Sequence, residues 1–344
     1  MAPKPPNVRT APAEPRRFSG VVNVVRGPDM APKPPDTRGA SGSPRRRSRS
    51  RVTTVGIVGV GLLGDAVASR LRTAGHAVVG YDVVPAAMER LVAMGGTAAK
   101  SAGDVARAAD VVCTILPSLA TVEEAILGAA GIVAAGKAGQ PIVQMSTISP
   151  SLTERLARET AARGLVFLDC PISGTSGMVA KGEGVIFVGG DAAQYARWKP
   201  LLESILPKAV HVGRPGQAMV LKLVANLLVA LNSAAAAEAL NLARASGLDP
   251  QIVVDVLATG AATSRMLEVR GPLMVRGEFP AQMKLDLFMK DLHLIQDAAG
   301  TAGARLPLTD IAERLYAAAQ KAGHGGDDLA VVITELERAR GNVS

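Results

Sequence analysis

The stretch that decides the fold is residues 55–64, VGIVGVGLLG, an apolar run that leads directly into three glycines spaced as G-x-G-x-x-G. A helical pattern follows to Ala74, and Asp82 stands 18 residues beyond Gly64, at the end of the next apolar run. A strand, a glycine-rich turn, a helix and a later acidic residue together form the dinucleotide-binding fingerprint. The glycine spacing alone would be weak evidence in a chain with 36 glycines, so this prediction depends on its context.

Each residue of the turn has a physical role in holding a pyrophosphate. Gly59 permits the tight turn, Gly61 lets the backbone approach the phosphates, and Gly64 allows the helix to pack closely on the strand. Leu62 and Leu63 lie where the helix begins, and the N–H groups at a helix N-terminus stabilise phosphate charge. These five residues are therefore predicted to bind the cofactor.

Asp82 predicts which dinucleotide is bound. A carboxylate at the end of the second strand accepts hydrogen bonds from the adenosine ribose hydroxyls and repels a 2′-phosphate. The following residues, Val83 and Val84, offer no cation for such a phosphate. We therefore expect NAD as the cofactor, with NADP less favoured.

Apolar runs and helical patterns alternate from residue 52 onward. Such alternation predicts a mainly parallel sheet covered by helices on both faces. After Gly213 only helical patterns follow, at 216–246, 251–258, 282–299, 308–322 and 327–340. We expect an α/β fold with a Rossmann-type doubly wound sheet over 52–213, followed by an all-α domain over 214–344. The predicted strands are Val55–Val58, Ala77–Tyr81, Val111–Leu116, Pro141–Met145, Val166–Asp169, Val185–Val188 and Ala209–Val212.

Residues 1–51 differ in composition from the rest of the chain. They hold twelve of the 38 Lys and Arg but only three of the 30 Asp and Glu, so the net charge of +8 belongs to this segment. A Pro-, Arg- and Ser-rich segment buries too little apolar surface to offset its chain entropy, and we expect it to be disordered. A transit peptide, or a tail for nucleic acid or a membrane surface, is the functional alternative.

The chain shows no sign of a disulfide framework or of a metal site. Its two cysteines, Cys113 and Cys170, lie far apart, and its four histidines are scattered. We expect a reducing compartment, the cytoplasm or, in a eukaryote, the mitochondrial matrix. The most apolar stretch, 219–240, favours a buried helix over a membrane span because it includes polar residues, namely Lys222, Asn226, Asn232, Ser233 and Glu238.

The long helical pattern after Gly216 carries a candidate catalytic group. Lys222, Asn226 and Ser233 fall on one face of a helix that is otherwise apolar. An ammonium group with an amide one turn away is costly on such a face unless it serves a site. A snorkelling lysine with a satisfied amide is the structural alternative.

The chain resembles the β-hydroxyacid dehydrogenase family, which includes 3-hydroxyisobutyrate dehydrogenase, tartronate semialdehyde reductase and L-threonate dehydrogenase. The resemblance covers roughly 54–333 and lies in an ordered series of motifs. These are the turn at 58–64, Ile115-Leu116-Pro117-Ser118, Met145-Ser146-Thr147-Ile148-Ser149-Pro150, Asp169-Cys170-Pro171-Ile172-Ser173-Gly174, the segment from Gly213 to Asn226, and Lys290-Asp291.

The resemblance implies a role for each matching position. Lys222 is implied as general acid/base and Asn226 as the residue that orients the substrate. The resemblance also implies that the cofactor is bound by Leu116, Pro117, Thr147 and Lys290. The substrate carboxylate would be bound by Ser173, Gly174 and Thr175. The substrate is expected to be a small β-hydroxy acid, and the all-α domain is expected to form a homodimer or homotetramer.

Two departures from the family pattern bear on the substrate. Thr175 stands where the family often has a second Gly, and Ala225 where it often has an Asn. Other side chains expected to shape the pocket are Met178, Leu285 and Phe288. The sequence does not name the acid.

Three other functions remain open. One is a reductase of another substrate class, such as imines, whose members generally lack the lysine. Another is a non-catalytic interaction protein of the same fold that uses the basic tail, although the rest of the chain is nearly neutral. The third is a sugar-phosphate dehydrogenase, which needs clustered cations in the cleft. We place the candidate cations, Arg265 and Arg270, on a solvated helix face instead.

Overall fold

The computed structural model describes residues 52–341, so the expected disorder of residues 1–51 lies outside the described residues. Within these residues nine strands form one sheet, in the order β3-β2-β1-β4-β5-β6-β8-β7, with β9 beside β8. The strands are β1 Thr54–Val58, β2 Ala77–Tyr81, β3 Thr97–Ala98, β4 Val111–Thr114, β5 Pro141–Gln144, β6 Val166–Asp169, β7 Ile172–Ser173, β8 Val185–Gly189 and β9 Ala209–Gly213.

The sheet is mainly parallel, as predicted. The pairs from β3 through β6 and the pair β8–β9 are parallel, whereas β6–β8 and β7–β8 are antiparallel. Strands β4 and β5 are buried along their whole length, because helices cover both faces. The direction of strand order reverses between β1 and β4, and a crevice forms there at the carboxyl ends of the strands.

The strand predictions from sequence agree closely with the structure. All seven predicted strands are present, and Val111–Leu116 and Pro141–Met145 end one or two residues early, at Thr114 and Gln144. The two strands that were not predicted, β3 and β7, have two residues each. Two residues are too few to show the alternation by which strands are predicted.

Fourteen α-helices lie in the described part of the chain. They are α1 Leu62–Thr73, α2 Pro85–Ala93, α3 Ala102–Ala108, α4 Leu119–Leu127, α5 Ile132–Ala135, α6 Pro150–Ala162, α7 Ser176–Ala180, α8 Ala192–Ile205, α9 Gln217–Ala245, α10 Pro250–Leu257, α11 Arg265–Arg276, α12 Leu285–Ala302, α13 Pro307–Lys321 and α14 Ile333–Gly341.

Helix α9 organises the part of the chain that follows the sheet. Its first turns contact β8 and β9, and its length packs against all of α10 to α14. Between residues 52 and 341, α9 alone is long and apolar enough to cross a membrane, with a mean hydropathy of 1.7 over its most apolar window. Its extensive packing against other helices is what the core helix of a folded domain requires.

One sequence expectation for the helical part is wrong. Arg270 was placed on a solvated helix face, but its side chain is 3% exposed and its Nε donates to Asp328 Oδ1 at 2.9 Å. Asp328 is fully buried and also accepts the backbone N–H groups of Gln282, Met283 and Ala330. Because these partners lie far apart in sequence, periodicity could not reveal the pair.

Candidate active site

The glycine turn after β1 leaves no room for side chains at two of its positions. Gly59 has φ +96°, and a Cβ there would lie 2.1 Å from the carbonyl oxygen of Ile115. A Cβ on Gly64 would lie 2.1 Å from the carbonyl oxygen of Gly59. These contacts explain why the turn needs glycine at both positions.

Gly61 differs from the other two glycines because no contact within residues 52–341 requires a glycine at this position. It is the N-cap of α1 with φ −69°, which any residue can adopt, and a Cβ there would meet no atom of those residues within 4 Å. The space above it opens into the cleft, beside the free N–H groups at the N-terminus of α1. A pyrophosphate fits this open cradle both sterically and electrostatically.

Asp82 organises the same turn from the end of β2. Its Oδ2 accepts a hydrogen bond from the backbone N–H of Val60 at 2.7 Å, and its Oδ1 accepts one from that of Val84 at 2.9 Å. The carboxylate therefore connects the glycine turn to the loop that follows β2. Each oxygen keeps a lone pair for a ligand in the cleft that Asp82 lines.

A single cleft of about 760 Å³ joins the glycine turn to the helical part of the chain. The structure brings most of the sequence-predicted site residues to its walls. These are Gly59, Gly61, Leu62, Leu63, Gly64, Asp82, Leu116, Pro117, Thr147, Gly174, Thr175, Lys222 and Lys290. Of the predicted residues, Ser173 and Asn226 do not line it.

Lys222 is the amine that α9 presents to this cleft. The residue is 6% exposed, and burial lowers the pKa of its side chain below the usual value. The nearby Asp291 carboxylate raises the pKa of Lys222 and the Lys290 ammonium lowers it, both by less than burial does. Lys222 is thus a buried cation that loses its proton more readily than a surface lysine.

Asp291 connects the polar groups around Lys222. Its Oδ2 accepts a hydrogen bond from Asn226 Nδ2 at 2.7 Å, and its Oδ1 lies 3.0 Å from Lys290 Nζ. The sequence indicated Asp291 only as part of a motif, without a role. Asn226, one turn after Lys222, therefore holds the carboxylate that stabilises the charged form of the lysine.

Lys290 joins the two sides of the cleft. Its Nζ donates to the carbonyl oxygen of Thr147 at 2.6 Å, which ties α12 to the loop after β5. That loop is itself ordered by two buried side chains, of which Ser146 stood in a sequence motif without a role and Gln144 was not singled out. Ser146 Oγ accepts the N–H of Leu116 at 2.8 Å, and Gln144 Nε2 donates to the carbonyl oxygen of Ser146 at 2.9 Å.

The loop after β7 supplies the wall of the cleft near Lys222. Gly174, Thr175 and Ser176 line it, and Thr175 Oγ1 accepts the N–H of Met178 to cap α7. Thr175 was expected to shape the pocket and does line it, whereas Met178, of which the same was expected, does not.

The expectation that Leu285 and Phe288 shape the pocket is wrong. Both are fully buried in the helical core, where the ring of Phe288 meets that of Tyr316 edge to face at 5.8 Å. Leu287, on the opposite face of α12, lines the cleft in their place. The sequence did not reveal which face of α12 turns toward the helical core, because that depends on the helices packed against it, α9 and α13.

Comparison with known proteins assigns both parts of the chain to families. Residues 54–213 match the family described as the NAD binding domain of 6-phosphogluconate dehydrogenase. Residues 216–336 match the family described as NAD-binding of NADP-dependent 3-hydroxyisobutyrate dehydrogenase.

Individual relatives cover nearly the same region. The chain is 33% identical to L-threonate dehydrogenase of Cupriavidus necator over 280 residues, which cover 81% of this chain and 94% of that protein. It is 35% identical to 2-hydroxy-3-oxopropionate reductase of Escherichia coli over 283 residues, 82% of this chain and 97% of that one. The solved structure of 3-hydroxyisobutyrate dehydrogenase from Salmonella typhimurium superposes with a TM-score of 0.76 at 32% identity, covering 82% and 99% of the two chains.

Proposed function

Because the chain belongs to the β-hydroxyacid dehydrogenase family, we propose that it oxidises or reduces a small β-hydroxy acid with NAD. The substrate resembles 3-hydroxyisobutyrate or 2-hydroxy-3-oxopropionate, and the nicotinamide, when bound, accepts or supplies the hydride. The observation that carries the proposal is the buried amine of Lys222 in the cleft that also contains the glycine turn.

Lys222 is the proposed general acid/base. In oxidation its neutral form takes the hydroxyl proton of the substrate, and in reduction its protonated form gives a proton to the carbonyl oxygen. Burial favours the neutral form and Asp291 favours the charged form. Burial is the larger of the two effects, so the pKa of Lys222 lies below its usual value and the side chain gives up its proton more readily.

The proposed cofactor residues are those that line the cleft along the glycine turn and the strand ends beside it. The N-terminus of α1 and the space above Gly61 hold the pyrophosphate, and Asp82 holds the adenosine ribose. Val83 is 81% exposed and Val84 52%, and neither offers a cation to a 2′-phosphate. This arrangement supports a preference for NAD over NADP.

The proposed substrate residues orient the acid against Lys222. Gly174 and Thr175 line the cleft, and Ser173 precedes them in the chain. The main chain and hydroxyl groups of this loop provide donors for a carboxylate. Asn226 acts through Asp291, which it holds at hydrogen-bond distance.

We also propose that the chain divides into a dinucleotide-binding domain, 52–213, and a substrate domain, 214–344.

We also propose that the helical part joins copies of this chain into a homodimer or homotetramer. Helix α9 exposes apolar side chains at four-residue spacing, with Val220 47%, Val224 49% and Leu228 52% exposed. An apolar stripe of this kind on a helix surface is typical of an interface.

A panel of acids tests the proposal. Purified protein is assayed with 3-hydroxyisobutyrate, L-serine, glycerate, threonate and 4-hydroxybutyrate, each with NAD and with NADP. We expect turnover of at least one acid, faster with NAD. Lys222→Ala should lower kcat about 100- to 10,000-fold while NAD still binds.

Lys199→Ala is the matched control for the loss of a lysine. Lys199 lies on α8, pairs with Glu203 on the surface, and should leave kcat unchanged when replaced. Near-normal turnover by Lys222→Ala, or a clear rate advantage with NADP, would contradict the corresponding part of the proposal.

A further inference from the structure

The N-terminus of α9 is capped by a carboxylate from a distant strand. Asp169, the last residue of β6, is fully buried, and its Oδ2 accepts the N–H groups of Gly216 at 3.0 Å and Met219 at 3.1 Å. Gly216 is the N-cap residue and has no side chain to serve these donors itself. N–H groups in the first turn of a helix have no partner inside the helix, so Asp169 supplies what the local sequence lacks.

Asp169 connects the two elements that bring substrate and lysine together. Four residues after it along the chain comes Ser173, at the start of the proposed substrate loop. Met219, which it holds, lies three residues before Lys222, close to one helical turn. We propose that Asp169 is a positioning residue that fixes the lysine on α9 relative to the loop Ser173–Thr175; this inference rests on the proposed function.

The neighbouring strand leaves little freedom at this junction. Gly189 of β8 pairs with Asp169 where the sheet changes from parallel to antiparallel. A Cβ on Gly189 would lie 2.8 Å from the carbonyl oxygen of Arg214 and 3.2 Å from Asp169 Oδ2. Strand, carboxylate and helix N-terminus are therefore in direct contact, and a side chain at 189 would push them apart.

The role requires an acceptor oxygen rather than a full charge. Burial raises the pKa of Asp169 to about 7, although the two backbone N–H groups oppose this shift. Both the ionised and the protonated carboxyl keep an oxygen that accepts two hydrogen bonds. Asp169 Oδ1 has no hydrogen-bond partner among the described residues, so an amide nitrogen placed there costs stability.

Three variants test the inference in the full-length protein. Asp169→Ala removes the acceptor, Asp169→Asn keeps it, and Gly189→Ala displaces it without removing any polar group. Each is measured for kcat, the pH profile of kcat, the dissociation constant of NAD and the midpoint of thermal unfolding. Asp191→Ala is the control for the loss of a helix-capping carboxylate, because Asp191 caps α8 by accepting the N–H of Gln194.

We expect Asp169→Ala to lower kcat about 100-fold, as a displacement of the reacting groups by about 1 Å does. NAD affinity should be unchanged, since Asp169 does not line the cofactor cleft. Asp169→Asn should retain most of kcat despite a lower unfolding midpoint, and Gly189→Ala should lower kcat in the same direction as Asp169→Ala. Asp191→Ala should lose stability and keep kcat.

A folded Asp169→Ala variant with the wild-type kcat and pH profile would overturn the inference. So would an Asp169→Asn variant that loses as much activity as the alanine variant. If Asp169→Ala does not fold, Gly189→Ala tests the inference instead. A folded Gly189→Ala variant with the wild-type kcat would then contradict it. The absence of wild-type turnover on every acid is instead a failure of the proposed function.

Discussion

The two sides of the cleft are built in opposite ways. On the sheet side, the site consists of main chain that approaches closely because Gly59 and Gly64 have no side chains. On the helical side, it consists of side chains from different helices, with Lys222 and Asn226 on α9 and Lys290 and Asp291 on α12. The sheet side leaves no room for an added atom at Gly59 or Gly64, and the helical side depends on each polar group keeping its partner.

The largest expected effect is on the sheet side, at Gly59. A methyl group there would meet the carbonyl oxygen of Ile115 in a backbone conformation unfavourable for L-residues. We expect Gly59→Ala to lower the free energy of unfolding by about 4 kcal/mol or more, in the exceptional range for one substitution. Chemical denaturation measures this change.

Gly61→Ala is the matched control for that prediction. Because its φ is ordinary and its surroundings are open, the free energy of unfolding should change by no more than about 0.5 kcal/mol. The dissociation constant of NAD should nevertheless rise, since a pyrophosphate occupies the same space. Unchanged NAD affinity in Gly61→Ala would place the pyrophosphate elsewhere.

The next effect concerns the helical side, where Asp328 holds the segment that lines the cleft at Gln282 and Met283. Asp328→Ala leaves the buried Arg270 guanidinium without its partner and should lower the free energy of unfolding by about 3–5 kcal/mol. Urea denaturation of the wild-type protein and of Asp328→Ala measures this difference in the free energy of unfolding.

Asp249→Ala is the control for Asp328→Ala, because it shows how much unfolding free energy the loss of an ordinary helix cap costs. Asp249 is an exposed helix cap that accepts one N–H, that of Gln251, and its loss should cost about 1 kcal/mol. Equal losses in the two variants would show that the buried pair of Arg270 and Asp328 adds nothing beyond an ordinary cap.

The smallest expected effect is a shift in pH dependence. Asp291→Asn removes the carboxylate that raises the pKa of Lys222 and leaves burial and Lys290 to lower it. Because oxidation needs neutral Lys222, the acid limb of the kcat profile should move to lower pH. Steady-state rates across the pH range, measured in the direction of oxidation, check this sign.

Asp286→Asn makes the same change of charge on the same helix. Asp286 is exposed and bonded to Gln320, so its replacement should leave the acid limb in place. A shift to higher pH in Asp291→Asn, or equal shifts in the two variants, would exclude Asp291 as the group that adjusts Lys222.

The sequence predicted more of the sheet side of the cleft than of its helical side. The turn after the first strand and the positions of the main strands were predicted correctly because each depends on a few neighbouring residues. Lys222 stood out as a cation on an apolar helix face, and the structure places it in the cleft. The environment of Lys222 was not evident, since Asp291 lies 65 residues beyond Asn226.

By itself, the sequence determined the backbone of the nucleotide turn, the alternation that yields a mainly parallel sheet, and the family to which the chain belongs. These follow from local sterics and from apolar periodicity, which neighbouring residues express directly. Only the tertiary structure decided that Asp169 caps α9, that Arg270 is buried against Asp328, and that Asn226 holds Asp291. Each of these is a pairing of polar groups across 47 to 65 residues. Because packing removes water from such groups, each needs a partner inside the protein, and only the fold brings that partner within reach.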